Sequence, residues 1–511
     1  MNGEPHIVII GAGIGGLTSA ALLAQAGVRV TVLESSTYPG GCAGTYYHQG
    51  YRFEAGATLA GGFQPGGPHA IVGERLGIDW PVRPADPAWV VHLPGREIVL
   101  SRDRSAMLAQ FPDSAPFWEE QACAADVAWK MAARALPWPP GNVAEALRLA
   151  RTCLGQLPGG VALARLAFST VRQWLARHDL AGDPAFVRFV DSLLLISAQT
   201  TSEAANALYS ATALDLPRQG VMDVAGGIGG LAQTLVETIR GLGGEVRYKH
   251  TVTGIAVEGG KAARVYTRHG RRVGETLDGD FVIANLTPWS LDGLLGDDSP
   301  ARLRREVRRR APGWGAFVLY LGVDVAQLPA SLPDHHQIIT GMDGPLGEGR
   351  SVFVSFSPAW DASRAPEGWR AVTVTTHTAV RPWWDLIEAD PDGYAARKEQ
   401  YTERLLDAIE GVIPGFRSGL TLVMPGTPVT YANWTHRHLG MVGGFPQTSL
   451  FRVRGPRTGL PNVRLVGDSI FPGQSTAGVT VGAMRVVDDV LRALPRPAER
   501  RLIVPRPREV R

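Results

Sequence analysis

A glycine series at G-x-G-x-x-G spacing, Gly11-Ala-Gly13-Ile-Gly15-Gly16, follows the apolar run His6–Ile10 and opens a helical pattern. A second apolar run at residues 28–33 comes next, so the order strand, glycine turn, helix, strand describes one βαβ unit. Glycines at this turn let the backbone bend sharply and approach a pyrophosphate with no Cβ in the way. The positive end of the helix then faces the phosphates. Glu34 closes the second strand, where a carboxylate accepts hydrogen bonds from a ribose diol and repels a 2′-phosphate. The spacing predicts dinucleotide binding, against the alternative of a tight turn that binds nothing.

Composition narrows the class. A chain of 511 residues predicts two or three units folded around one another and room for a large ligand. Hydrophobic residues at 45% and charged residues at 19% describe a globular chain. A net charge of +3 gives no reason to expect a nucleic-acid partner, whose binding needs many clustered phosphate contacts. The three cysteines, Cys42, Cys123 and Cys153, form no C-x-x-C and accompany no His cluster at ligand spacing, so no metal is expected and a reducing cytoplasm is the expected compartment. The apolar stretch at 7–24 lacks a basic leader and is broken by the glycines, and it reads as structure rather than as a secretion signal. No run of about 18 apolar residues predicts a membrane span, so any membrane contact is expected to be peripheral.

Residues 115–213 show helical patterning broken at Pro137-Trp-Pro-Pro-Gly141 and Pro158-Gly-Gly160, which predicts a helical insertion. Short strands are expected at 246–248, 251–257 and 263–267, with Phe281–Ala284 returning to the first sheet, so the dinucleotide unit is discontinuous in sequence. The β-branched and aromatic runs at 317–323, 351–357 and 371–377 predict a separate, largely antiparallel sheet. A helix is expected at 393–410, then a strand at 463–466 and a helix at 477–494. The Pro- and Arg-rich tail from 495 to 511 reads as disordered.

The glycine fingerprint serves NAD and FAD alike, and two further features favour FAD. Gly40-Gly41 lets the loop after Glu34 pass close to cofactor phosphates. The late strand ends in Gly467-Asp468, whose carboxylate can bond a ribitol hydroxyl, and Gly478 opens a helix able to face the pyrophosphate or the flavin ring. Together, residues 11–16, Glu34, Gly40-Gly41 and Gly467-Asp468 resemble the flavin-containing amine oxidase and phytoene desaturase superfamily, a match at both ends of the chain. Gly40-Gly-Cys-Ala-Gly-Thr45, Gly50-Tyr-Arg-Phe-Glu-Ala-Gly56, the loop 57–69 and Phe471-Pro-Gly-Gln-Ser-Thr-Ala-Gly-Val479 are similar to carotenoid desaturases. Cys42 stands where phytoene desaturases carry Arg. With the Pro-Gly-Gly loop, that departure resembles the 3′,4′-desaturases of 1′-hydroxylated acyclic carotenoids and, more weakly, the carotene isomerases.

The resemblance implies FAD, with Glu34 at the adenosine ribose, Gly40 and Gly41 at the pyrophosphate, backbone near Val252 at the adenine, and Asp468 and Val479 at the ribitol and isoalloxazine. Val252 reads equally as an ordinary buried strand residue. Asn285 lies where the family's chain crosses back beneath the cofactor. No Ser/His/Asp triad or carboxylate pair stands out, which suits chemistry carried by the cofactor. Glu54 is a weak candidate for a general base, with a cofactor-positioning or structural carboxylate as the other reading. Cys42 reads as a small packed residue rather than a covalent flavin anchor. His436 and His438 lack a third ligand nearby.

A carotenoid is about as long as the ~30 Å core of a bilayer and would enter from the membrane through an apolar tunnel. Val161, Ala164, Phe168, Val171 and Leu175 recur at helical spacing, with Arg148, Arg151, Arg165, Arg172 and Arg177 nearby, and predict either a lipid-facing helix or one packed on the core. The basic tail is a second possible lipid contact.

The expectation is therefore an α/β flavoprotein. A discontinuous Rossmann-like FAD-binding domain takes residues 1–110, 215–290 and 455–494. A helical, membrane-facing insertion takes 115–213, a mixed-sheet substrate domain 291–454, and a basic tail 495–511. The expected activity is 3,4-desaturation of acyclic 1-hydroxycarotenoids by a peripheral enzyme on the cytoplasmic membrane, with oxygen or a quinone as electron acceptor. The alternatives are a carotenoid cis–trans isomerase using reduced FAD, a soluble amine oxidase, and a non-catalytic lipid carrier.

Overall fold

The computed structural model describes residues 5–134, 136–154, 160–270 and 272–494; the expected basic tail lies outside the described residues. Five parallel strands form the first sheet in the order Val463–Leu465, Phe281–Ala284, His6–Ile10, Arg29–Leu33, Glu245–Arg247. Its strands are apolar on both faces because helices cover both, as a parallel sheet requires: Ile7, Val8, Ile9, Val32 and Ile283 are wholly buried. The helix Ile14–Gln25 is buried along almost its whole length and packs against the helices Gly229–Gly241 and Ser475–Ala493. Its Gly and Ala residues permit that close approach. Chain segments hundreds of residues apart thus build one parallel sheet.

The second sheet has seven strands, in the order Leu420–Gly426, Trp314–Asp324, Trp369–Ala379, Ser351–Phe356, His335–Ile339, Trp89–Leu93, Arg96–Leu100. It is antiparallel except where His335–Ile339 runs parallel to Trp89–Leu93. Residues 89–100 therefore belong to this sheet and not to the cofactor unit, which corrects the boundary expected at 110. The cause is a long-range strand pairing that no local pattern announces. Alternation along the strands divides the sheet's faces. Phe317, Leu319, Val354, Val372 and Val374 pack with Trp383, Tyr401, Leu405 and Ile409 of the helices Arg381–Ala389 and Pro391–Glu410. Ala316, Ser351, Phe353, Thr375 and His377 face a large cavity instead.

Helices from Ala115–Ala132 to Ala207–Ala213 fill the predicted insertion, around Phe117, Trp174, Phe186 and Phe189. Asp215, fully buried, accepts hydrogen bonds from Trp129 Nε1 at 3.1 Å and Arg218 Nε at 2.6 Å and ties this bundle to the sheet-facing side. The stripe expected from Val161 to Leu175 is not one helical face. The helix Gly160–Ala167 stops, and a capping box of Thr170 and Gln173 starts a new helix at Val171–Ala176. Val171 and Leu175 are buried, whereas Phe168 between the helices is 77% exposed. No described helix is long and apolar enough to cross a membrane.

Candidate functional site

The glycine turn opens onto the cavity. Gly13 caps the helix Ile14–Gln25 without any side-chain hydrogen bond, leaving first-turn N–H groups without intrahelical partners and directed to an anion. The glycines themselves mostly permit chain packing: a Cβ on Gly13 would stand 2.5 Å from Asn285 Nδ2, and one on Gly16 would stand 2.3 Å from the Gly11 carbonyl oxygen. Asn285, at the end of the returning strand, is therefore the post around which this turn is folded. Gly40, at φ 114°, donates its N–H to the Ala12 carbonyl at 2.8 Å and brings the second glycine loop beside the first.

Glu34 lines the cavity with its carboxylate held by the backbone N–H of Ala12 at 2.7 Å and of Ser36 at 2.8 Å. Val252 lies with His250 and Thr251 in the same end of the cavity, and the His250 N–H bonds the Glu34 carbonyl at 2.8 Å. Gly11, Gly13, Gly15, Gly40, Gly41, Gly467, Asp468, Gly478 and Val479 also line this cavity, while Gly16 does not. Thus most of the predicted cofactor residues converge from both ends of the chain, and Gly16 serves the turn.

Arg437 completes this end. Its guanidinium meets Asp468 at 2.9 and 3.3 Å and donates to the carbonyls of Met441 at 2.7 Å and Gly443 at 2.9 Å. Burial works against its charge, but Asp468 outweighs it and raises its pKa. Burial also raises the Cys42 thiol, and Arg437 opposes that shift. Arg437 sits in Asn433-Trp-Thr-His-Arg-His438, a segment legible for its histidines. His438 stacks on Trp289 at 4.9 Å, and no cluster of three metal-ligating side chains occurs among the described residues.

Glu54 is not on the cavity wall. It is buried in an ion pair with Arg364 at 2.8 Å, and Arg364 Nε also bonds the Arg52 carbonyl at 3.0 Å. The weak general-base expectation is thereby corrected: this carboxylate closes the strand pair that carries it. Among described residues, the cavity's only carboxylates are Glu34 and Asp468, and both are engaged.

The cavity has a volume of about 1380 Å³, more than the ~300–1,000 Å³ usual for one small ligand. Beyond the cofactor end it becomes apolar, lined by Trp89, Leu208, Leu216, Val221 and Phe353, and it extends toward Leu149, Leu163 and Phe451. Phe451 is 54% exposed and stacks on Phe168 at 4.9 Å. Sequence reading missed Arg437, Gln199 and His377 on this wall, because each reaches it through tertiary packing.

Fold and site define a class: a flavoprotein in which a five-stranded parallel sheet and a seven-stranded, mainly antiparallel sheet share one cavity. The chain belongs to the flavin-containing amine oxidoreductase family, whose sequence profile matches residues 14–491, and FAD is its cofactor. It is 27% identical over 503 residues to a chloroplastic prolycopene isomerase of Daucus carota, covering 93% of this chain and 78% of that one. It is 26% identical over 538 residues to a neurosporene-forming phytoene desaturase of Cereibacter sphaeroides, covering 96% and 97% of the two chains. The fold matches the crystal structure of an oxidoreductase from Methanosarcina mazei with a TM-score of 0.65 at 20% identity, over 94% of this chain and 100% of that one. These relatives support an oxidoreductase or isomerase of carotenoid biosynthesis.

Proposed function

We propose that this protein is a carotenoid 3,4-desaturase acting on acyclic 1-hydroxycarotenoids. The observation that carries the reading is the single cavity, in which the dinucleotide cradle continues into a long apolar section. Bound FAD supplies the two-electron acceptor for a hydride leaving one carbon of the C–C bond, and oxygen or a quinone takes the electrons onward. The chain's own contribution is to hold, orient and desolvate. Gly13, Gly40 and the uncapped helix end hold the pyrophosphate, Glu34 the ribose, and Asp468, fixed by Arg437, the ribitol. The apolar walls exclude water and keep the polyene extended beside the cofactor. The adjoining carbon loses its proton to solvent, since Ala12 and Ser36 bind Glu34 and Arg437 binds Asp468.

The substrate reaches the cavity from a membrane surface. Val143, Leu147, Phe168 and Phe451 are exposed apolar side chains near the cavity's helical end, with Arg151 and Arg165 also exposed beside them. Apolar groups that insert and cations that meet anionic headgroups suit a peripheral protein on the cytoplasmic leaflet.

A second reading, cis–trans isomerisation with reduced FAD, is favoured by the similarity to prolycopene isomerases. Anaerobic mixing of FAD-loaded protein on liposomes with an acyclic 1-hydroxycarotenoid separates the two. Flavin bleaching matched by a red-shifted polyene is the desaturase outcome. A carotenoid change that needs pre-reduced flavin and consumes none of it is the isomerase outcome, and no change in either chromophore removes both readings for this substrate.

A further inference from the structure

Among the polar groups on the cavity wall, Gln199 and His377 form a bonded pair that makes a polar station. Gln199 ends the helix Pro184–Ala198 in the left-handed region, at φ 58°, and its backbone carbonyl accepts from Trp314 Nε1 at 3.2 Å. Its amide Nε2 lies 3.3 Å from His377 Nε2. His377 comes from a different element, on the cavity face of the strand Trp369–Ala379, with its ring against Trp314 at 6.0 Å. Two elements distant in sequence thus aim a bonded amide–imidazole pair into the same space.

The pair is incompletely satisfied. Gln199 is 5% exposed, and its Oε1 is buried with no hydrogen-bond partner. Its Nε2 also donates to the Ile196 carbonyl at 3.4 Å, which fixes the amide's setting and leaves Oε1 as the unused atom. Buried amide atoms are almost always bonded, so an unused one on a residue that lines the cavity is available to a ligand group. Burial lowers the His377 pKa to about 4, so the imidazole is neutral at physiological pH. No cavity carboxylate is free to receive an ammonium ion, and the station therefore suits an uncharged hydroxyl rather than an amine.

Its position relative to the cofactor end is equally specific. The Gln199 amide packs against Gly443, where a Cβ would stand 3.0 Å from it, and the Gly443 carbonyl accepts from Arg437, the partner of Asp468. In a 1-hydroxylated chain the oxygen lies within roughly 4 Å of carbon 3. A group that reads this hydroxyl must lie near the reacting bond, and the contacts through Gly443 and Arg437 link Gln199 to Asp468.

We propose that Gln199, oriented by His377, binds the substrate's hydroxyl and sets the register of an otherwise featureless polyene, so that the bond beside the hydroxyl is the one presented for reaction. This inference rests on the hydroxycarotenoid reading above. A site built to bond a hydroxyl discriminates against the analogue that lacks it, and one neutral hydrogen bond gives roughly a tenfold preference.

The test is equilibrium binding to the FAD-loaded protein, followed by tryptophan fluorescence. Two matched pairs of ligands are used: an acyclic 1-hydroxycarotenoid with its deoxy counterpart, and a C20 isoprenoid tertiary alcohol with its hydrocarbon. The protein is expected to prefer the hydroxylated member of each pair by about tenfold. Gln199→Leu is expected to remove the preference by weakening only the hydroxylated ligand, with FAD content retained. His377→Phe is expected to act in the same direction, and it carries the test if Gln199→Leu does not fold. A preference that survives both variants overturns the station, as does the absence of any preference in the unaltered protein. Preference for the isoprenoid alcohol with no binding of either carotenoid keeps the station and overturns the carotenoid reading.

Discussion

The guanidinium of Arg437 grips the carboxylate of Asp468 at 2.9 and 3.3 Å, on the wall where the two ends of the chain meet the middle. Cys42 lies close enough to feel this charge. A cation contributed by residue 437 thus stands beside a loop that has none of its own. Removing one member of such a partly buried pair leaves the other charged and unpaired, at a cost of about 1–3 kcal/mol. Arg437→Ala is expected to purify largely without FAD and to melt well below the unaltered protein. The double change Arg437→Ala with Asp468→Ala is expected to recover part of the melting temperature, and strict additivity in that thermal cycle would count against the coupling.

Gly16 and Gly41 are expected to separate folding from cofactor binding. A Cβ on Gly16 collides with the Gly11 carbonyl at 2.3 Å, whereas one on Gly41 meets nothing closer than 3.7 Å but sits at φ 59°. Gly16→Ala therefore destabilises the FAD-free protein by roughly 1–3 kcal/mol through overpacking. Gly41→Ala carries a local strain of about 1–2 kcal/mol. Denaturant melts with and without FAD are expected to show a larger loss for Gly16→Ala in the FAD-free protein.

Glu54→Gln reports on structure rather than chemistry. Its partner Arg364 is 2% exposed, so the change strands a buried cation and lowers stability by several kcal/mol, about 3–5 at the upper end. The pH profile of flavin reduction by substrate is expected to keep its shape. A lost ionisation in that profile would restore Glu54 as a base.

Three histidines make the fold acid-sensitive. Burial lowers the pKa of His69 to about 3 and of His377 to about 4. Burial, with a smaller contribution from His92, lowers His336 to about 4. Each stays neutral in the folded state while its unfolded counterpart takes up a proton near the ordinary value of 6.5. The unfolded state therefore binds more protons between those values. Stability is full above pH 6.5 and falls as pH drops through 4, by up to about 1.4 kcal/mol per pH unit for each histidine. Urea melts from pH 7.5 to 4.5 check this, and His336→Gln is expected to flatten the slope.

Phe168 and Phe451 stack in the open near the cavity's helical end. The double change Phe168→Ser with Phe451→Ser is expected to reduce flotation with anionic liposomes several-fold while leaving FAD content unchanged. Unaltered flotation would move the lipid contact elsewhere.

The capping box at Thr170 and Gln173 shows how a legible signal competes with a stronger one. Apolar spacing from 161 to 175 reads as one helix, but the threonine's bond to the Gln173 N–H at 3.3 Å starts a second helix and turns Phe168 outward. Trp89–Leu93 shows the opposite case. Nothing local distinguishes it from strands of the first sheet, and its parallel partner His335–Ile339 lies more than two hundred residues away.

The sequence by itself determined the cofactor cradle and its chemistry, because glycine conformation, helix-end polarity and a strand-terminal carboxylate are local properties that short spacings express. Tertiary structure alone decided which groups share the cavity wall. Gln199, His377 and Arg437 come from a helix end, a strand and a loop, and only sheet register and helix packing bring their side chains to one wall. The pairing of Glu54 with Arg364 was decided in the same way, since a carboxylate's role depends on the cation that folding places against it.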